Sequence, residues 1–458
     1  MKIFFSLAFA FISIVTIAQK PAGVISGPML GPVEFRTANV WIELKEGIDE
    51  VSLLYWPKSK TKTSAKRIFQ KKTTTSFPNI YKWQVPQLEP GSSYQYNVVA
   101  GKEARVIGSG EFTTQSLWQY RTDPPDFSFL TGSCAYFNDP AYDRPGKPYG
   151  RDSSIFLTMA KEADASFMLW LGDNWYNREV DYYSEWGLNN RPSKDRSTPV
   201  LQPLLKAMPH YAIWDDHDYG PNNADKSYVL KEASRKAFIN YWSNPSYGQD
   251  GNGIFTQFTF NDVDFFLLDD RWFRSNDEMP DSIGRKPNPA KKMFGDQQME
   301  WLKNALLLSQ SNSSVRFRII ATGSQVLNEF STKDCLQHYP VEFEELMNFL
   351  GQNEINGLVF LTGDRHISSV VKRNRKNNYP LYDITASSLT AGLSNRSPVE
   401  ASSPNMVSNV DDANSYSKIS FTGKGLARTM AVKFLNKNGE QLVEWSVRLE
   451  EISSQKAQ

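Results

Sequence analysis

The chain has 458 residues, 40% of them apolar and 22% charged, enough for two or three domains and a large core. Its 51 lysines and arginines against 50 acidic residues leave a formal net charge of +1. That balance excludes a global electrostatic pull toward nucleic acid or an anionic membrane.

The first segment, "MKIFFSLAFAFISIVTIAQK", has a basic start at Lys2, an apolar run from Ile3 to Val15, and small residues before Gln19. It reads as a secretory signal peptide over residues 1–18, with an uncleaved anchor as the alternative. Export to the periplasm or the medium is the expectation. No cysteine follows the run, which argues against a lipid anchor, and no later segment approaches transmembrane length.

Residues 20–116 alternate in the β manner through "TANVWIEL", "EVSLLYW", "YKWQVPQL", "SSYQYNVVA" and "GSGEFTT", with turns such as "LEPGSS" between them. Short strands at this spacing predict a small all-β sandwich. The "LEPGSSYQYNV" run with its closing "GEFTT" resembles fibronectin-like domains, including the one that precedes the catalytic domain in purple acid phosphatases. The basic runs Lys58 to Lys72 and Lys372 to Lys376 lack interleaved stacking aromatics and read as solvated hairpin tips. "QSLWQYRTDPPD" is a linker, because Pro124-Pro125 interrupts strand or helix.

From residue 126 to about 452 the rhythm becomes strand, polar stop, helix. Apolar runs appear as "FSFL", "SFMLWL", "HYAIW", "VDFFLL", "FRIIAT" and "GLVFLT". Helical faces include Ile155, Phe156, Met159, Ala160 and Ala163 behind an Asp152-Ser153 cap, a helix capped by Asp296, and Phe343, Leu346, Met347 and Leu350. Strands apolar on both faces alternating with amphipathic helices predict largely parallel sheets covered by helices, an α/β class. The tail from Ser415 to Ile452 alternates again and is expected to add antiparallel strands to the same domain.

Each apolar run stops on a group suited to a cation or a phosphate. The stops carry Cys134; Asp173 and Tyr176; Asp215, Asp216, His217 and Asp218; Asp269, Asp270, Arg271 and Arg274; Ser324 and Gln325; and Asp364, Arg365 and His366. Ligands of open α/β sheets bind beyond the carboxyl ends of the strands, so these side chains are expected to converge. Crowded carboxylates repel one another unless something cationic neutralises them, which points to a site for more than one metal.

"GDNWY" matches the GDxxY element of purple acid phosphatases, and the ordered set "GSC", "GDxxY", "WDDH", "DxR" and "GDxH" most resembles the alkaline phosphatase D family, over roughly Asp126 to Leu393. The resemblance implies a metallophosphoesterase-type four-layer αββα sandwich behind the small fibronectin- or Ig-like domain. It also implies that Cys134, Asp173, Tyr176 and His366 hold a ferric ion. Asp173, Asp216 and Asp364 would hold a harder ion, Ca²⁺ in the family's usual choice, with Mn²⁺, Mg²⁺ and Zn²⁺ as alternatives. Asp216 and Asp364 stand where the wider superfamily has asparagine and histidine, no VxxH element is present, and Gln325 is an extra candidate oxygen donor. Cysteine count alone predicts a Cys134–Cys335 disulfide in an exported chain; as a metal ligand, Cys134 is excluded from one.

The implied activity is hydrolysis of phosphate esters by in-line attack of a metal-bound hydroxide. His217 is expected to protonate the leaving group or grip the phosphate, with Asp215 or Asp218 orienting it, and Arg271 and Arg365 to clamp the phosphate. Asn223, with Asn222, is a further ligand or substrate contact. A monoesterase is expected first, with a small phosphate ester as substrate. Nucleic acid is not a partner beyond nucleotide substrates, stable membrane insertion is not expected, and the protein is read as a monomer. A phosphodiesterase or phospholipase-type activity and a non-catalytic exported binding protein are the alternatives.

Overall fold

The computed structural model describes residues 22–331 and 334–454; the signal-peptide segment lies outside them. Seven strands between Val24 and Thr113 form two antiparallel sheets. One orders the strands Val24–Val33, Ala38–Leu44 and Asn79–Val85, and the other Lys66–Lys71, Glu50–Pro57, Ser93–Ala100 and Arg105–Thr113. Their facing side chains share one core that includes Val40, Ile42, Leu53, Tyr81, Trp83 and Val98. The run read as a bare hairpin tip contains the strand Lys66–Lys71, which pairs with Glu50–Pro57 at a sheet edge. Its exposed lysines suit an edge, where charge discourages pairing with another chain.

The strand Ala38–Leu44 is buried on both faces for a reason the alternation concealed. Val40, Ile42 and Leu44 fill the N-terminal core, while Trp41 joins the main core of the molecule. Trp41 Nε1 donates to the Asn240 carbonyl at 2.8 Å, and Glu43 accepts from Ser193 Oγ at 2.7 Å. Lys82 Nζ donates to the carbonyls of Ile239 and Trp242. Arg196 lies over the rings of both Trp41 and Trp242. The N-terminal β region is therefore seated on the rest of the protein through buried, specific contacts.

After the Pro124-Pro125 break two mixed sheets face each other. The first orders His210–Ile213, Ala165–Leu171, Phe127–Gly132, Ser415–Thr422, Thr429–Asn436 and Gln441–Arg448. Its first three strands are mutually parallel, and the tail strands continue it antiparallel, as the late alternation predicts. The second orders Thr256–Phe260, Val263–Leu267, Phe317–Thr322, Leu358–Thr362, Asn378–Thr385, Ser368–Arg375 and Met406–Val410. Within it Val263–Leu267, Phe317–Thr322, Leu358–Thr362 and Asn378–Thr385 are parallel. Phenylalanines close the space between the sheets: Phe129 meets Phe265 edge-on at 5.4 Å, and Phe167 meets Phe258 at 5.6 Å. Strands buried on both faces give the continuous apolar runs seen in the sequence.

Helices Gly295–Ser311 and Pro340–Gln352 follow the predicted apolar faces, but Asp296 is not the cap of the first. The Glu342 carboxylate takes that role, accepting the backbone N–H groups of Met293, Phe294 and Gly295 at 2.6, 3.0 and 2.7 Å. A side chain from another element satisfies the orphan donors, which local sequence cannot show. The Ile155–Met159 helix is shorter than its apolar pattern, and Asp152 accepts from the Ser154 N–H just ahead of it.

Candidate metal centre

The parallel strands of both sheets end in register, and the chemistry sits one or two residues past each end. Ile213 pairs with Leu171 and Gly132 with Trp170 in one sheet; Thr322 pairs with Thr362 in the other. Two glycines allow the edges to close. A Cβ on Gly172, where φ is +89°, would lie 2.6 Å from Asp215 Cβ, and one on Gly363 would lie 2.4 Å from the Leu171 carbonyl. Gly363 thus brings the turn of the second sheet against the first.

Cys134, Asp173, Asp364 and His366 all adopt positive φ, at 61°, 51°, 65° and 54°. Left-handed backbone is uncommon for non-glycine residues and costs free energy, so four such residues in one place mark a strained cluster held by its surroundings. One potential donor atom from each of Cys134, Asp173 and His366 lies within 4.8 Å of the others, and the same holds for Asp173, Asp216 and His217. Asp173 belongs to both groups. Tyr176 Oη is 3.2 Å from His366 Nε2, and Cys134 Sγ is 3.7 Å from Asp173 Oδ2 and 3.6 Å from the Asp364 carbonyl. Asp216 accepts the N–H of His217 at 2.9 Å and that of Asn223 at 2.7 Å.

The electrostatics are those of anions crowded away from water. Burial, then repulsion from Asp216 and Cys134, pushes the Asp173 carboxyl well above its ordinary range. Burial, then Asp334 and Asp216, raises Asp364 to about 7, and burial with Asp364 raises the Cys134 thiol to about 12. Burial and Asp173 lift the Tyr176 phenol, while burial lowers the imidazoles of His217 and His366. Asp216 is the exception: burial opposes its charge, but His217, Arg271 and the Asn223 N–H hold it below the usual carboxylate range. His217 Nδ1 and Asp215 Oδ2 are buried with no hydrogen-bond partner among the described residues. A thiol, a phenol, carboxyls and an imidazole forced together at such cost fit a site built for cations, whose charge would draw the raised carboxyls, thiol and phenol back toward their ionised forms and keep the imidazoles neutral.

Other expected site residues are placed differently. Asp215 caps the helix Asp216–Tyr219, and its Oδ1 accepts from Arg271 Nε at 2.5 Å. The Arg271 guanidinium is 0% exposed, and Nη2 also reaches Asp334 at 3.3 Å, so it lies behind the donors rather than in the cleft. Arg365 bridges Glu400 at 3.1 Å and donates to Ser331 Oγ at 2.6 Å. Both ends of the Gln325 amide are occupied, Nε2 by Thr385 Oγ1 at 2.7 Å and Oε1 by Asn328 at 2.9 Å. Cys134 and Cys335 are both free and buried, so the disulfide expected from cysteine count is absent. Outside the site, His210 is a satisfied core histidine, as its apolar strand leads one to expect, accepting from Trp170 Nε1 at 3.0 Å.

Four participants carried no signal in the sequence. Ser387 Oγ donates to Cys134 Sγ at 3.1 Å, Tyr149 Oη lies 3.0 Å from His366 Nδ1, Asp334 faces Arg271 and Arg274, and Arg178 pairs with Asp143 at 3.0 Å. Tyr149, Asp334 and Arg178 end no apolar run, and Ser387 lies two residues past the strand Asn378–Thr385, whose run is broken by Asp383. A cleft of about 560 Å³ opens beside the donors, lined by Tyr149, Tyr176, His217, Arg178, Lys147 and Asn222 among others.

Fold and donor set together define the class, a pair of packed mixed α/β sheets carrying a buried cluster of potential metal donors just past their strand ends. Residues 129–432 match the profile of the PhoD-like phosphatase family, and the chain belongs to that family. It is 26% identical over 326 residues to an alkaline phosphatase D of Bacillus subtilis (strain 168), a match covering 61% of this chain and 52% of that protein, about half its length. A solved structure of PhoD superposes with a TM-score of 0.76 at 17% identity, covering 94% of this chain and 92% of that one. A purple acid phosphatase from yellow lupin (Lupinus luteus) seeds gives 0.66 at 10% identity, covering 92% and 74%. Those two likenesses concern the fold.

Proposed function

We propose that the protein hydrolyses phosphate esters, monoesters foremost, in the cleft beside Cys134, Asp173 and His217. The observation that carries this reading is Asp173, one carboxylate shared by two donor groups on one strained turn. Cys134, Asp173, Tyr176 and His366 would hold one ion, and a thiolate and a phenolate, both strong anionic donors, suit Fe³⁺. Asp173, Asp216 and Asp364 would hold a hard ion such as Ca²⁺, with Mn²⁺, Mg²⁺ or Zn²⁺ as alternatives. Bound there, such ions supply Lewis-acid activation of water and neutralise charge on the phosphoryl oxygens.

The chain's own residues do the rest. Lys147 and Arg144 border the cleft and draw in a dianionic ester, and the buried Arg178 fixes one wall through Asp143. His217 packs on Tyr176 with ring centroids 4.2 Å apart, and burial keeps its imidazole neutral. A neutral imidazole still holds one N–H, which His217 donates as a hydrogen bond to the departing alkoxide oxygen while solvent supplies the proton. Arg271 acts from behind, holding Asp215 and through it the start of the helix that presents Asp216 and His217.

Diester hydrolysis is the second reading. A cleft of about 560 Å³ with tyrosine walls exceeds a phosphate and leaves room for a second ester arm. The four-layer αββα arrangement, a fibronectin-type domain over 20–116, a catalytic domain over 126–452, export and a monomeric state complete the reading. The two packed mixed sheets and the separate N-terminal core support its architectural part. Kinetics on a monoester and a diester with one shared leaving group, before and after chelation and metal return, test it. Chelator-sensitive hydrolysis favouring the monoester is expected; metal-independent hydrolysis, or none of either ester, would refute it.

A further inference from the structure

Tyr149 belongs to none of the strand ends, yet its hydroxyl lies 3.0 Å from Nδ1 of His366. It sits between the end of the Phe127–Gly132 strand and the Ile155–Met159 helix, on a segment pinned just past it. Arg151 N donates to the Thr390 carbonyl, and Gly150 N donates to Asn138 Oδ1 at 2.9 Å. The Tyr149 ring packs against Tyr136 at 5.0 Å and Tyr176 at 6.4 Å, and a Cβ on Gly392 would meet it at 3.1 Å. The phenol is thus fixed from several directions although its outer edge faces the cleft.

The opposite ring nitrogen of His366, Nε2, points at Tyr176 Oη, 3.2 Å away. A neutral imidazole has one N–H and one lone pair, and the partner of one nitrogen decides which is which. Were Nδ1 the acceptor, Nε2 would carry the proton and turn an N–H toward the Cys134, Asp173 and Tyr176 group, where it repels a cation. With Nδ1–H donating to Tyr149 Oη, the Nε2 lone pair faces that group. The Gly392 backbone also lies near the ring and favours its protonated form.

We propose that Tyr149 is a positioning residue that accepts the Nδ1–H of His366, fixing the tautomer and ring angle in which Nε2 is free to bind a cation. This rests on the metal-dependent reading of the site. Orienting partners of this kind are worth roughly 10- to 100-fold in metal affinity, and because the Gly392 contact survives, the lower end applies here.

Tyr149→Phe removes only the hydroxyl and keeps the cleft wall. Titration of chelator-stripped protein with Co²⁺, read by the visible and near-ultraviolet bands of a bound thiolate, should give an affinity about 10-fold below wild type with an altered band. Tyr182→Phe, in the same cleft without contact to His366, should leave both unchanged. Equal Co²⁺ affinity and spectrum in wild type and Tyr149→Phe would overturn the assignment and make Tyr149 a wall alone. Wild type that binds no Co²⁺ would instead sink the metal-dependent reading itself. Should Tyr149→Phe fail to fold, imidazole ¹⁵N shifts of stripped wild type decide: a protonated Nδ1 on His366 supports the assignment, and a protonated Nε2 overturns it.

Discussion

Asp364 gives the sharpest test of a site that is costly without its ion. Burial, with Asp334 and Asp216 nearby, raises its carboxyl to about 7 in the folded metal-free protein. In the unfolded chain it ionises near the ordinary value of about 3.9. Between those values the folded state holds a proton that the unfolded state has released, so stability falls as pH rises through the window. About three pH units at about 1.4 kcal/mol each give a loss of about 4 kcal/mol, complete above pH 7. Asp364→Asn cannot titrate, so its stability should be flatter by that amount over the same range. Urea unfolding of chelator-stripped protein from pH 4 to 8, followed by tryptophan fluorescence, measures both slopes. Wild-type and variant curves parallel within about 1 kcal/mol would refute the reasoning.

His217→Gln should lower kcat by roughly 100-fold or more while leaving metal content intact, with the greatest loss for poor leaving groups; loss of metal would instead make His217 a ligand, as its distance to Asp173 and Asp216 permits. Lys82→Met removes the donor to the Ile239 and Trp242 carbonyls at the end of the helix Lys231–Tyr241. It should cost about 2–3 kcal/mol in denaturant unfolding without changing metal affinity, and unchanged stability would contradict the described seating of the N-terminal region.

Much of this was legible because it rests on local rules. Runs such as "SFMLWL" and "GLVFLT" announce buried parallel strands, and the chemistry at their carboxyl ends follows from the architecture. Tyr149 and Asp334 were not legible, since each reaches its partner across more than 50 residues from a segment with no periodic pattern, and Ser387 follows a strand whose apolar run is broken by Asp383. Arg271 and Arg365 carried the right chemistry for a phosphate clamp. Only tertiary structure shows one buried against Asp215 and the other bridging Glu400. The same holds for Glu342, which caps a helix some 50 residues earlier, and for Trp41, whose burial on the outer face of its sheet reflects the contact between regions.

Elemental analysis of the purified wild-type protein, paired with ester hydrolysis on the same sample, tests the central claim most directly. Stoichiometric metal whose removal abolishes hydrolysis and whose return restores it is the expected result. A metal-free protein that cleaves phosphate esters at full rate in excess chelator would contradict the account.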